Sequence, residues 1–511
     1  MSSAVSSSPW PSLATVWRAI ALLLPVTVAL AVPPSAVDLA YAVRAGRLIL
    51  ERGDVLRTDP FTFTAGGEAW IDQQWLAQVA FALVHDAAGW AGLALLRGAL
   101  VGLIVLLLAD TLRRSGLDAR RAGVLTLAAF VVVAPSLALR AQLFAVVLFA
   151  LTLWLLAVTD TRPALRWLLV PIASLWANLH GTFVLLPAAV GVGWLTGRSF
   201  RGRAGVPSPS DPGLLLLIGT FLATLVNPFG VAVWEYALGL ATNPIVAGLA
   251  TEWQPTSAAT VPGALFLAAL AVVAVLLVRG PRRPAWPTIV WLVALAVLAL
   301  RAERAVVWWA LAAAVALGPT LARSTPPAGL ARRSLLNAAI VLGLVLASLA
   351  ALPWWRADPS GDPGPLLADA PVDLTDELTG RVEPDTRAYV SQPWASWVEF
   401  ALPEVRTFVD SRFEVAPEAA WEDYVAIAAV APDWQARLDR WGIELVIVDR
   451  TREPNLAAAL DASPDWRRLA VDPASNGAAY GRLSRSGGRW EPAPAVARPP
   501  APGGPGGGRT S

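Results

Sequence analysis

Apolar stretches recur along the first two thirds of the chain, separated by short polar or arginine-rich segments. A helix needs about 20 apolar residues to cross a hydrocarbon core, and roughly eleven stretches between positions 14 and 353 approach that length. They lie near 14–33, 89–111, 122–139, 142–159, 165–178, 182–197, 212–227, 262–279, 286–301, 305–322 and 335–354. This pattern predicts a polytopic α-helical membrane domain over residues 1–354. The first stretch has no small-residue cleavage site behind a basic start, so it reads as an anchor and not as a removed signal. Between the first two spans lies a long loop, 34–88, with helical periodicity of its own. Val37, Tyr41, Val43, Leu48 and Leu50 mark one amphipathic helix lying at the interface, and Trp75, Val79 and Leu83 a second. The intervening RTDPFTFTAGGEAW reads as turn, short strand and turn.

The pattern changes near residue 355, at the linker ADPSGDPGPLLADAP. Short apolar runs at 387–391, 405–410 and 443–448 then alternate with helix-like stretches at 416–430, 433–441 and 454–461. That alternation predicts a small soluble α/β domain over 355–486. The Pro/Gly-rich tail, 487–511, has too few apolar residues to bury a core and is expected to be disordered.

Composition agrees with the membrane reading. The 511 residues are 56% hydrophobic and 15% charged, and a mean hydropathy of +0.54 lies beyond ordinary soluble domains. A pI near 9.4 raises the question of nucleic acid, but the basic residues, all arginine, form short clusters and no stripe. Those clusters are Arg113, Arg114, Arg120 and Arg121; Arg198, Arg201 and Arg203; Arg279, Arg282 and Arg283; and Arg332 and Arg333. Short basic loops stay cytoplasmic. Eleven spans then leave the N-terminus in the cytoplasm and put 34–88, 228–261 and everything after about 355 outside. With no cysteine and two histidines, His85 and His180, zinc, haem and iron–sulfur centres lack ligands. A P-loop, a dinucleotide fingerprint and a G-x-S-x-G elbow are all missing, which leaves nucleotide-driven transport and serine hydrolysis unsupported. The Ala-, Arg-, Gly-, Pro- and Trp-rich usage is that of a GC-rich bacterial genome.

A charge at the membrane is costly and is usually kept for a partner or a function. The predicted outer face holds Asp38, Asp59, Asp72, Arg140, His180, Glu235, Glu252, Arg301, Glu303 and Arg304. Asp38 opens a predicted helix, where a carboxylate serves either as general base or cation ligand, or as an N-cap. Asp59 and Asp72 stand beside turns and read as turn-ordering groups. Asn178, His180 and Gly181 interrupt an apolar stretch, as at a helix lining a polar cavity or at a satisfied helix–helix turn. Arg301 and Arg304 sit at the outer end of a span, against the positive-inside trend. Two guanidiniums there suit a phosphate, or else salt bridges to Glu252 or Glu303. In FVDSRFEV, Asp410 and Arg412 follow a predicted strand and read as an ion pair within the domain.

Several of these segments share one likeness. DLAYAVRAGRLILERGDVLRTDPFTFTAGGEAWIDQQWLAQ, WANLHGTF, VNPFG, TEW, RAER and FVDSRFE together resemble a group of bacterial polytopic membrane proteins of the GT-C glycosyltransferase superfamily, over residues 14–485. Better-known branches of that superfamily are protein O-mannosyltransferases and oligosaccharyltransferase catalytic subunits. The resemblance implies a GT-C-like protein in the bacterial cytoplasmic (inner) membrane. Its donor would be a polyprenyl-phosphate-linked sugar and its acceptor an external envelope glycan, lipid or protein. It makes Asp38 the catalytic base of an inverting transfer. His180, Arg301, Arg304, Arg140 and Asn178 become candidate contacts for lipid phosphate or acceptor, with Asp59, Asp72 and Glu252 secondary. The chain departs from the group at Ala40, Tyr41 and Ala42, where a Trp-Trp-His run is usual, and at Gln73 and Gln74, where His-Glu is common. Of the acidic pair with which some GT-C enzymes hold metal, Asp38 alone is present, so no metal ligands are assigned and Mg or Mn stays open. The alternative is a non-catalytic protein of this fold that binds lipid-linked glycans, transports them or assists envelope assembly. No internal repeat of the kind transporters carry is visible.

Overall fold

The computed structural model describes residues 9–159, 161–200, 212–322, 328–358 and 363–483. The predicted tail, 487–511, lies outside the described residues.

Helix α1 (Leu13–Ala31) starts at Ser12, whose hydroxyl accepts from the Thr15 amide. After α2 (Leu39–Arg52) comes α3 (Trp75–Arg114). Non-helical Ala88 and Gly89, the latter at φ 59°, break α3 into a short first arm and a longer apolar arm. Only glycine takes that φ without strain. The second predicted loop helix and the second predicted span thus meet at this glycine. Next come α4 (Ala119–Val133), α5 (Ala141–Thr159), α6 (Leu169–Ala177), α7 (Leu185–Phe200), α8 (Pro212–Thr224), α9 (Ala232–Thr242), α10 (Pro244–Leu249), α11 (Val261–Arg279), α12 (Trp286–Arg301), α13 (Val306–Leu321) and α14 (Leu335–Ala350). Among the described residues, six helices are long and apolar enough to cross a membrane, and five shorter apolar helices of 10–17 residues accompany them. The protein is a multi-pass, mainly helical membrane protein.

One end of the bundle gathers arginine-rich segments. The Leu13 amide donates to the Arg332 carbonyl, Arg121 donates to the Leu321 carbonyl at 2.7 Å, and Thr320 donates to the Arg282 carbonyl at 2.8 Å. At the other end Arg97 donates to the carbonyls of Val32 and Leu137, and Arg356 to those of Ala31 and Leu30.

Beyond α14 lie α15 (Val372–Leu378), β1 (Thr386–Val390), α16 (Gln392–Ala401), β2 (Val405–Thr407), α17 (Glu418–Ala428), α18 (Trp434–Trp441), β3 (Leu445–Asp449), α19 (Pro454–Ala462), β4 (Trp466–Asp472) and β5 (Gly477–Arg482). The strands form one sheet in the order β2-β1-β3-β5-β4. β1 runs parallel to both β2 and β3, whereas β5 is antiparallel to β3 and β4. Every residue of β3 is buried, as expected of a strand with both faces covered.

Helix α2 does not lie open at the interface as its periodicity predicts. Leu39, Tyr41, Val43 and Ile49 are all buried between the first arm of α3 and α16. Its small face explains this: a Cβ at Gly46 would collide with the Gln78 carbonyl of α3, so glycine there permits the close approach. On the α16 side, the Tyr41 amide donates to the Ser396 hydroxyl, which donates onward to the Ala36 carbonyl, both at 2.9 Å. A helix that reads as amphipathic is therefore wedged between α3 and helix α16 of the C-terminal portion.

Candidate functional site

Asp38 occupies the N-cap position of α2, at φ −111° and ψ −8°, yet its side chain makes no capping hydrogen bond. Its Oδ2 lies 2.9 Å from Nε of Arg140 instead. Arg140 projects from the bend between the 3-10 turn Ala134–Ser136 and α5, where Pro135 helps end the preceding helix. The same guanidinium donates from Nη1 to Oε2 of Glu252 at 2.7 Å. Glu252 belongs to a 3-10 turn, Thr251–Trp253, and its Oε1 lies 3.3 Å from Nη1 of Arg304. Arg304 leaves the turn after α12, stacks over the Trp253 ring at 4.5 Å and donates to Oε1 of Gln142 at 3.3 Å. A backbone bond from Glu303 to the Gln254 carbonyl ties the two loops together.

Four segments thus supply an alternating chain, Asp38–Arg140–Glu252–Arg304, whose formal charges cancel. None of its side chains is fully covered: exposure runs from 18% at Arg304 to 38% at Glu252. Arg140, Glu252 and Arg304 line a cavity of about 110 Å³ with Pro135, Ser136, Ala138, Gln142 and Glu303. Asp38, ahead of Glu252, holds the Arg140 pKa above its ordinary value against the opposing effect of burial. Burial works against ionisation of Glu252, but Arg304 and Arg140 hold its carboxyl below the usual range. Arg140 stands between the two carboxylates, and among the described residues no group of three or more His, Asp or Glu is arranged to hold a metal ion.

No family model and no curated protein matches the chain. Solved structures do. The oligosaccharyltransferase AglB from Archaeoglobus fulgidus, solved with an inhibitory peptide and a dolichol-phosphate, aligns at a TM-score of 0.54 over 92% of this chain and 74% of its own, with 12% identity. ArnT from Cupriavidus metallidurans, bound to undecaprenyl phosphate, aligns at 0.51 over 92% of this chain and 98% of its own, with 14% identity. The chain has the GT-C fold. At such identities the likeness is one of architecture, so the chemistry of this chain has to be argued from its own side chains.

The other candidates divide. His180 is buried, and its Nδ1 accepts from the Thr182 amide at 3.2 Å, capping the turn Gly181–Val184. Burial, then the charge of Arg304, pushes its pKa down. A neutral ring that accepts at Nδ1 carries its proton on Nε2, a tautomer assigned from the hydrogen bonds. Asn178 does not join the cluster: its amide accepts from the Trp75 indole and donates to the carbonyls of Ser174 and Val226. Those three bonds tie α3 to α6 and to the segment after α8, leaving little of the amide for a ligand. Arg301 does not join either. It ends α12 as an exposed side chain, so the expected arginine pair splits, with Arg304 in the cluster and Arg301 outside it.

Asp59 and Asp72 are both buried. Asp59 accepts from the amides of Phe61 and Thr62, ordering the turn, and also from Nη2 of Arg412 at 2.7 Å. Arg412 pairs with Asp410 as well and lies over the rings of Tyr41, Phe61 and Trp70 at 5.3, 5.0 and 4.5 Å. The ion pair expected within the C-terminal domain is therefore one half of a lock onto the first loop and onto α2. Asp72 accepts from Gln78 at 2.7 Å, and burial drives its pKa up to about 7. The sequence reading also missed Gln142 and Trp253 beside Arg304, and Tyr236, whose hydroxyl donates to Glu414 at 2.6 Å. The motif TEW pointed toward Trp253; Gln142, inside an apolar span, carried no signal.

Proposed function

We propose that this chain is a membrane glycosyltransferase that moves a sugar from a polyprenyl-phosphate carrier to an envelope acceptor on the outer face of a bacterial cytoplasmic membrane. The observation that carries the reading is Asp38 tied through Arg140 to Glu252 and Arg304 at a cavity. The site lies at the end of the bundle away from the clustered arginines, which the positive-inside rule assigns to the cytoplasm. In this reading all eleven apolar segments cross the membrane, the N-terminus is cytoplasmic, and residues 34–88 and 355–486 lie outside. The solved relatives bound to dolichol-phosphate and undecaprenyl phosphate support a lipid phosphate as the ligand class.

The acceptor hydroxyl oxygen attacks the anomeric carbon while Asp38 takes the hydroxyl proton. The bond from that carbon to the phosphate oxygen breaks, and its electron pair leaves with the lipid phosphate. Attack opposite the departing phosphate inverts the anomeric centre. Arg140 and Arg304 face the oxygens on which charge grows, the arrangement that lowers such a barrier most. Since lipid phosphate leaves readily, one base plus positioning suffices. A divalent cation has no step in this mechanism, because the Arg140 guanidinium fills the place between Asp38 and Glu252.

The test supplies membranes containing the chain with polyprenyl-phosphate sugars labelled in the sugar. Label is expected to pass from lipid to an envelope acceptor, and Asp38→Asn is expected to stop it. Label that stays on the lipid with wild-type protein, or transfer undiminished in Asp38→Asn, would overturn the reading in favour of a non-catalytic binding protein of the same fold.

A further inference from the structure

Glu252 places one carboxylate oxygen on each of two guanidiniums, Oε2 on Arg140 and Oε1 on Arg304. Two guanidiniums converging on one small anionic group form a place that fits a phosphate equally well. The three side chains are not anchored alike. Arg140 is also held by Asp38, and Arg304 by the Gln142 amide. Glu252 sits on a three-residue turn between α10 and α11, and its carboxylate is the most exposed of the four charged groups. It is the member that can leave without disturbing a helix.

The charges of donor and product give that freedom a use. A sugar joined through phosphate to a polyprenol is a phosphodiester with one negative charge. Transfer leaves a phosphomonoester, whose second ionisation near pH 6 brings its charge to about −1.5 to −2 at neutral pH. Two arginines with nothing opposing them would hold the product more tightly than the donor and release it slowly. A tethered carboxylate that returns to the same guanidiniums acts at high effective concentration, weakens the hold on either ligand and so shortens the stay of the product.

We propose that Glu252 is a displaceable carboxylate that competes with the lipid phosphate for Arg140 and Arg304 and so drives product release. This rests on the reading that those arginines bind lipid phosphate. The donor phosphate moves Glu252 aside on entry, and Glu252 reclaims both arginines as the lipid phosphate departs.

The experiment titrates undecaprenyl phosphate into the full chain in lipid nanodiscs, comparing wild type with Glu252→Gln, Glu252→Ala, Arg140→Gln and Arg304→Gln. Both Glu252 variants are expected to bind about tenfold or more tightly, the effect of removing one charge-assisted competitor. Both arginine variants are expected to bind more weakly. In turnover with a labelled polyprenyl-phosphate sugar, Glu252→Gln is expected to lower KM and kcat together, with a burst of product in the first turnover. Unchanged or weaker binding in both Glu252 variants, alongside weakened arginine variants, would overturn the displacement while leaving the phosphate site intact. Arginine variants that bind as wild type does would overturn the phosphate site itself, and the displacement with it.

Discussion

Arg412→Ala tests how firmly the C-terminal domain holds the helix that carries Asp38. The guanidinium side chain is 3% exposed and pairs with Asp59 and Asp410, which are 0% and 1% exposed. Truncation strands two buried carboxylates and strips the cation from the rings of Tyr41, Phe61 and Trp70. Removing one partner of a buried ion pair costs about 3–5 kcal/mol, mostly because the other charge is left uncompensated. The ring contacts bring smaller increments that do not simply add. The uncompensated charge is thus the larger effect. A cost of this size lowers Tm by roughly 10 °C for a unit of this scale, read at one fixed scan rate because membrane proteins often unfold irreversibly. The assay is tryptophan fluorescence during heating in detergent. Arg468→Ala, which breaks an exposed pair with Asp461, serves as the comparison and is expected to shift Tm far less. Stranded carboxylates take up protons in the fold, so the penalty should be larger at pH 8 than at pH 5. Adding Asp59→Asn and Asp410→Asn should recover much of the loss. A fall in Tm no larger than that of Arg468→Ala, or a penalty independent of pH, would refute the reasoning.

The remaining predictions follow from single sites. Asp72 has a folded-state pKa near 7, raised by burial above its ordinary value. The folded state therefore holds the proton to higher pH than the unfolded state, and this group's contribution to stability falls as pH rises from about 4 through 7. Asp72→Asn is expected to flatten the decline in Tm between pH 5 and pH 8; a decline as steep as wild type would contradict the assignment. Gly46→Val presses a side chain onto the Gln78 carbonyl, and overpacking of this kind costs about 1–3 kcal/mol. The variant should show a lowered Tm and faster proteolysis between α2 and α3, whereas wild-type values on both measures would show that the close approach is dispensable. Arg301→Ala is expected to leave undecaprenyl phosphate affinity within about twofold of wild type, since Arg301 stands apart from the cluster; a tenfold loss would place it at the phosphate.

Much of this architecture could be read from hydropathy, because spans, arginine clusters and the polar C-terminal portion each leave a signal local in sequence. The break at Gly89 was legible as the boundary between a loop helix and a span. The burial of α2 was not. Its polar face is covered by α16, some 350 positions away in the chain, and no local periodicity reports a partner at that distance. The same limit governed the site. Asp38, Arg140, Glu252 and Arg304 each stood out as costly charges near the membrane, but their connection passes through four loops whose meeting is set by tertiary packing. Arg301 and Arg304 looked equivalent by spacing, and the turn Glu303–Ala305 is what parts them. Asn178 looked available because two of its three partners, Trp75 and Val226, come from other segments. Asp410 and Arg412 read as a local pair because Asp59, the third member, lies in the first loop.

The most direct test of the central claim is a cryo-EM structure of the chain in nanodiscs with undecaprenyl phosphate. The account predicts phosphate density between Arg140 and Arg304, in the place Glu252 holds here, with the Asp38 carboxylate beside it and facing the same cavity. Phosphate bound elsewhere, with the bridges from Glu252 to both arginines intact, would contradict it.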